Sequence, residues 1–202
     1  MMKTLTIACL TGAAMMTAAV AGTPVSAKNA KAPVAPAPAP ACADGISYSN
    51  VGLDWGHTWL DDAGDDVDGV NFDASYAIVD KLYLHGTASW ANTDYAEWGF
   101  TAGLGYGVPL LKNLDLVAEA GGFWANEGDG DGFYVFPHLR GKFGCLELHA
   151  GAKLLCPSGD GDNVWEAHVN AYYEVAPRID LHVGGIFAED AQTLQAGVRY
   201  KF

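Results

Sequence analysis

Between Ile46 and Phe202 the chain alternates apolar and polar side chains in short runs, each closed by turn-forming residues. One run sets Trp165, Ala167, Val169, Ala171, Tyr173 and Val175 against Glu166, His168, Asn170, Tyr172 and Glu174. A period of two places such sets on opposite faces of a β-strand. The pattern predicts ten strands, at 46–59, 69–79, 81–92, 97–109, 114–125, 133–143, 145–156, 164–176, 178–188 and 192–202, with eight as the alternative count. Most have 11 to 13 residues. At ~3.3 Å per residue and a tilt near ~40°, each would span ~25–30 Å, the height of a bilayer's hydrocarbon layer.

The connections alternate in character. Long acidic ones cover 60–68, 93–97, 126–132, 157–163 and 188–192 and hold 14 of the 24 Asp and Glu residues but no Lys or Arg. Tight ones fall at Val79-Asp80-Lys81, Pro109 to Asn113, Phe143-Gly144-Cys145 and Val175 to Arg178. In a closed up-and-down barrel these two kinds would fall on opposite rims. Alternation alone does not say which face is inside, and a secreted soluble, lipocalin-like barrel gives the same string. Aromatic placement favours the inverted, lipid-facing version. All six Trp (55, 59, 90, 98, 124 and 165) lie toward the acidic rim. Tyr48, Tyr76, Tyr106, Phe143, Tyr173, Tyr200 and Phe202 lie toward the tight-turn rim. Two aromatic belts at membrane–water interfaces are the mark of a spanning barrel. The predicted fold is therefore all-β, an antiparallel up-and-down transmembrane barrel.

Residues 1–27 read as a secretory signal, with Lys3, an apolar stretch from Leu5 to Val20, and small residues at Val25-Ser26-Ala27. A cut after Ala21 is the alternative. Residues 28–45 form an Ala/Pro-rich linker in which the prolines favour an extended spacer. Removing 1–27 takes the net charge from −13 to about −14, since only Lys3 is lost. So acidic a chain is a poor partner for nucleic acid. Beyond the signal stand Cys42, Cys145 and Cys156. Export permits a disulfide. Cys156 lies ~35 Å from Cys145 along its own strand, out of reach. Cys42 with Cys145 is the one plausible intrachain pair.

The signal, the small-barrel repeat, the tight turns and the closing Val198-Arg199-Tyr200-Lys201-Phe202 resemble the OmpA/OmpX-type small outer-membrane β-barrel proteins, the porin-family or outer-membrane β-barrel domain. The resemblance covers residues 46–202 and is one of architecture, with no motif naming a subfamily. It implies residence in the outer membrane of a Gram-negative bacterium, with the N-terminus periplasmic and the acidic loops extracellular. It also implies lipid and lipopolysaccharide as surroundings. Tyr200 and Phe202 would carry the signal read by the barrel-assembly machinery. Such a fold does not fix an activity.

Long inward side chains in a ten-stranded barrel would meet across the axis. Asp73, His85, Glu119, His138, Arg140, Lys142, Glu147, His149, Lys153, Glu166, His168, His182 and Arg199 are the expected polar network of the lumen. Its histidines are spread over separate strands without metal-ligand spacing, so interior hydrogen bonding is the favoured reading. In the acidic loops Asp61, Asp65, Asp129, Asp131, Asp160 and Asp162 are candidates for weak Ca²⁺ or Mg²⁺ binding, though none completes an EF-hand. No other cofactor is expected. His57 beside Asp61 and Asp62 lacks an accompanying nucleophile, so no enzyme is expected. The expected role is structural or surface-interacting, with an external ligand or host surface that the sequence does not name. A narrow channel for ions or small solutes is the alternative.

Overall fold

The computed structural model describes Cys42 and residues 45–60, 66–92, 97–126, 130–159 and 161–202. Ten strands follow in chain order: β1 (Asn50–Leu60), β2 (Val67–Val79), β3 (Leu82–Asn92), β4 (Glu97–Leu111), β5 (Leu114–Ala125), β6 (Asp131–Phe143), β7 (Leu146–Pro157), β8 (Val164–Ala176), β9 (Ile179–Phe187) and β10 (Ala191–Lys201). Each pairs antiparallel with its sequence neighbour, and β1 pairs with β10 to close the ring. The count is ten rather than eight. Carrying the ten registers once round the ring displaces β1 against itself by about 12 residues, the shear of the barrel. With ten strands, that shear gives a tilt of about 40° and a backbone radius of about 10 Å.

Turn chemistry sets the tight rim. Asp80-Lys81, Lys112-Asn113, Gly144-Cys145 and Pro177-Arg178 join their strands as two-residue turns. Gly144 takes φ +62°, a conformation glycine adopts without a steric penalty. Lys81 and Arg178 hold φ of 63° and 70° in the same role without that freedom. β4 runs past its expected end at 109. Pro109 cannot donate to the ladder, and the register to β5 shifts between Pro109 and Leu111.

One expected strand begins late. Residues 46–49 do not extend β1; they turn under the barrel's tight-turn mouth. Tyr48 is 7% exposed, so it stands inside rather than in the outer aromatic belt. Its even phase, shared with Asn50 and Asp54, is the inward phase of β1. The aromatic ring there fills lumen instead of meeting lipid.

Candidate functional site

The lumen narrows to a floor at the tight-turn end, built in two halves. On the β6–β10 side the floor is a chain of ion pairs. Arg140 Nη2 lies 2.6 Å from Glu147 Oε1, and Glu147 Oε2 accepts from Arg199 Nη2 at 2.8 Å. Arg199 reaches Asp180 at 2.6 Å, and Asp180 accepts from Lys201 Nζ at 2.8 Å. Lys201 also donates to Glu174 at 2.7 Å, and Lys142 lies 3.4 Å from the same oxygen. All seven side chains are buried. Inward alternation on β6 to β10 supplies them, and the shear brings their heights together. Buried charges are tolerated only when paired and hydrogen-bonded. Among the described residues no buried side-chain nitrogen or oxygen lacks a partner.

On the β2–β5 side, side chains of a different kind fill the floor. The inward positions Gly103, Gly105 and Gly107 leave β4 without side chains of its own there. A Cβ at these three would collide with the side chains of Tyr134, Tyr83 and Tyr48, respectively. Three tyrosines thus occupy the room that the glycines vacate. Tyr48 donates to Asp115 at 2.7 Å, Tyr83 to Glu119 at 3.0 Å, and Tyr134 to Glu119 at 2.8 Å. Tyr48 and Tyr83 rings lie 5.0 Å apart, over the fully buried Val117. Arg140 joins the two halves. Its guanidinium sits 4.5 Å over the Tyr48 ring and donates to the Ser47 carbonyl at 2.8 Å.

Above this floor, toward the loop rim, is a cup of about 360 Å³. Four histidines in the barrel are each matched to a carboxylate. His85 lies 2.8 Å from Glu119, His149 2.7 Å from Glu147, His168 2.9 Å from Glu166, and His182 2.5 Å from Asp54. A ladder of rings runs across β6–β9: Phe136 on His138 at 4.4 Å, His149 on Tyr172 at 4.8 Å, and Tyr172 on His182 at 4.4 Å. The free face of Tyr172 carries Arg199 at 3.7 Å.

Outside, the polarity is reversed. Among the described residues, the buried ones other than glycine are mostly polar, 14 against 5 apolar, while Leu53, Leu84, Leu104, Val169, Leu181 and Val198 are exposed. All six Trp face outward at 44–61% exposure, and Tyr76, Tyr106, Phe143, Tyr173, Tyr200 and Phe202 form the second outward belt. Water offers no reason for such a surface; a bilayer does. The chain has the build of an outer-membrane β-barrel.

No protein-family model and no curated protein matches the sequence. Solved barrels do match. The KdgM porin is 10% identical with a TM-score of 0.48, over 75% of this chain and 99% of that one. The NanC porin is 9% identical with a TM-score of 0.48, over 75% and 100%. An outer-membrane channel from Pseudomonas putida F1 is 10% identical with a TM-score of 0.48, over 78% and 96%. These likenesses concern the fold and go no further.

The expected lumen residues all point inward, but they do not form one network. Arg140, Lys142, Glu147, His149 and Arg199 belong to the ion-pair half of the floor and His85 joins its tyrosine half through Glu119, whereas His168 with Glu166 and His182 with Asp54 are local pairs. His138 stacks on Phe136 and shares 3.2 Å with its carbonyl. Lys153 rests 4.8 Å over the Tyr134 ring, with no carboxylate in ion-pair range among the described residues. Asp73 lines the cup on the opposite wall, without an ion pair or hydrogen bond among the described residues. That correction has a simple cause: the barrel is wide enough at cup height to keep opposite walls apart. Asp54, Asp115, Glu174, Asp180 and Lys201, all on the polar phase of the sequence, also take part in these contacts.

Cys42 and Cys145 are joined by a disulfide, with Cα atoms 5.2 Å apart, while Cys156 is a buried free thiol. His57 faces outward between Trp55 and Trp59, 2.9 Å from Asp68 and 3.6 Å from Asp66. Its expected neighbours Asp61 and Asp62 lie outside the described residues, as do the cation candidates Asp65, Asp129 and Asp160. Asp131 opens β6 and Asp162 precedes β8, both exposed. Among the described residues no group of three or more His, Cys, Asp or Glu could hold a metal ion.

Proposed function

We propose that this barrel is a closed one, with a structural or surface-interacting role in the outer membrane and no enzymatic step. The observation that carries this reading is the floor: ion pairs from Arg140 to Lys142 on one side, and Tyr48 with Tyr83 on the other. A hydrated ion passing that layer would have to break paired, buried charges. Each broken pair leaves an uncompensated charge in a low-dielectric lumen.

In this reading the tight turns and both termini are periplasmic and the acidic loops extracellular. Lipid and lipopolysaccharide cover the apolar belt. Weakly held Ca²⁺ or Mg²⁺ at the loop carboxylates would screen them from anionic headgroups. Tyr200 and Phe202 serve the barrel-assembly machinery, and an external ligand or host surface would meet the loops. A narrow channel is the second reading, favoured by the polar cup of about 360 Å³.

Planar-bilayer recording of the folded protein tests the first reading against the second, with heat-modifiable gel migration as the folding control. The closed barrel gives no steady unitary steps. Regular, ion-selective steps from the unmodified protein would establish the channel instead.

A further inference from the structure

The two halves of the floor differ in how they are attached. Every member of the ion-pair half grows from a strand. Tyr48 does not: it belongs to residues 46–49, which enter the mouth ahead of β1. This segment is seated by contacts with several parts of the ring. The Tyr48 carbonyl accepts from Ser75 Oγ at 3.1 Å, and Ser49 Oγ accepts from the Ala77 amide at 3.1 Å. The Ser49 carbonyl accepts from the Phe202 amide at 3.2 Å. Arg140 holds Ser47 from the far wall. The disulfide then ties Cys42 to Cys145, in the turn between β6 and β7. That turn lies nearly opposite β1 in the ring, so the chain is fixed on both sides of the mouth.

From these placements we infer that residues 46–49 are a removable stopper, with Tyr48 as its plug, and that the Cys42–Cys145 disulfide is the latch keeping it seated. The inference rests on the closed-barrel reading and adds a way of opening it. The slot is already present. Gly107 leaves the β4 wall bare where Tyr48 sits, and Ser75, Tyr83 and Arg140, which touch Tyr48, also line the cup above. Withdrawal of Tyr48 therefore opens the floor beside Gly107, between the tight-turn mouth and the cup-lining residues it touches, while the ion pairs on β6–β10 stay intact. Unlatching is ordinary thiol–disulfide exchange. A dithiol attacks the bond, passes through a mixed disulfide and leaves as its own disulfide, and two electrons and two protons end on the Cys42 and Cys145 thiols. The freed segment stays tethered at Asn50, so it moves in and out of its seat rather than leaving.

The test is bilayer recording of the full chain, folded and oxidised, before and after adding dithiothreitol, beside Y48A and the double variant C42S/C145S. Oxidised wild type stays closed. Reduced wild type and C42S/C145S flicker, with open-state occupancy raised about tenfold or more, because the latch no longer restricts the unseated chain. Y48A conducts with its disulfide intact, and reoxidation of the wild type silences it again. Folded Y48A and reduced wild type that both stay silent would overturn the stopper and leave the closed barrel standing. Steady steps from oxidised wild type would overturn the closed barrel itself. If Y48A does not fold, reduction of already folded wild type decides the matter.

Discussion

The floor and the cup use the same residue types to opposite ends. In the floor, four cations and three carboxylates, Arg140, Lys142, Arg199 and Lys201 with Glu147, Glu174 and Asp180, are locked into one chain of contacts, all but one at 2.6–2.8 Å. In the cup, among the described residues, Asp73 has no hydrogen-bond or ion-pair partner and Lys153 rests on the face of Tyr134. Width and side-chain length account for the contrast. Long side chains converge at floor height, helped by the inserted Tyr48, and there each charge must be paired. Higher up, water can solvate what the protein does not. The floor is therefore intolerant of change, while the cup is free to vary.

Substitutions should rank accordingly. The largest effect is expected from E147A, which leaves the Arg140 and Arg199 guanidinium groups buried without their shared carboxylate and costs about 3–5 kcal/mol. Urea unfolding of the barrel in lipid vesicles would read it, and an unchanged midpoint would mean that the floor does not hold the barrel together. D180N keeps the shape but removes the charge that faces Arg199 and Lys201, a loss of about 2 kcal/mol by the same measurement. Y48F removes one hydrogen bond while the ring still fills its slot. Asp115 keeps Lys81 at 3.0 Å, so the loss should be about 1 kcal/mol. D73N in the cup should shift the midpoint by less than about 0.5 kcal/mol. A loss there as large as for D180N would erase the distinction between the two regions.

Much of this is legible in the sequence. The strands at 69–79, 114–125 and 164–176 lie within about two residues of β2, β5 and β8, because period-two alternation and turn clusters are local signals. The indoles at 55, 59, 90, 98, 124 and 165 announced an outward belt for the same reason. Tyr48 was misplaced because a ring near a strand end reads as interface. Its phase with Asn50 and Asp54 carried the right answer, but nothing local said that the chain would leave the ladder there.

The sequence by itself determined the strands, their two faces and the rim on which each connection falls, since all of these depend on neighbours along the chain. Which charge meets which was decided only by closure. Glu147 on β7 reaches Arg199 on β10 because the shear sets the height of every inward strand residue. Tyr48 reaches Asp115 on β5 because the chain turns into the mouth of the closed ring ahead of β1. A quantity summed round all ten strands is written in no single one of them.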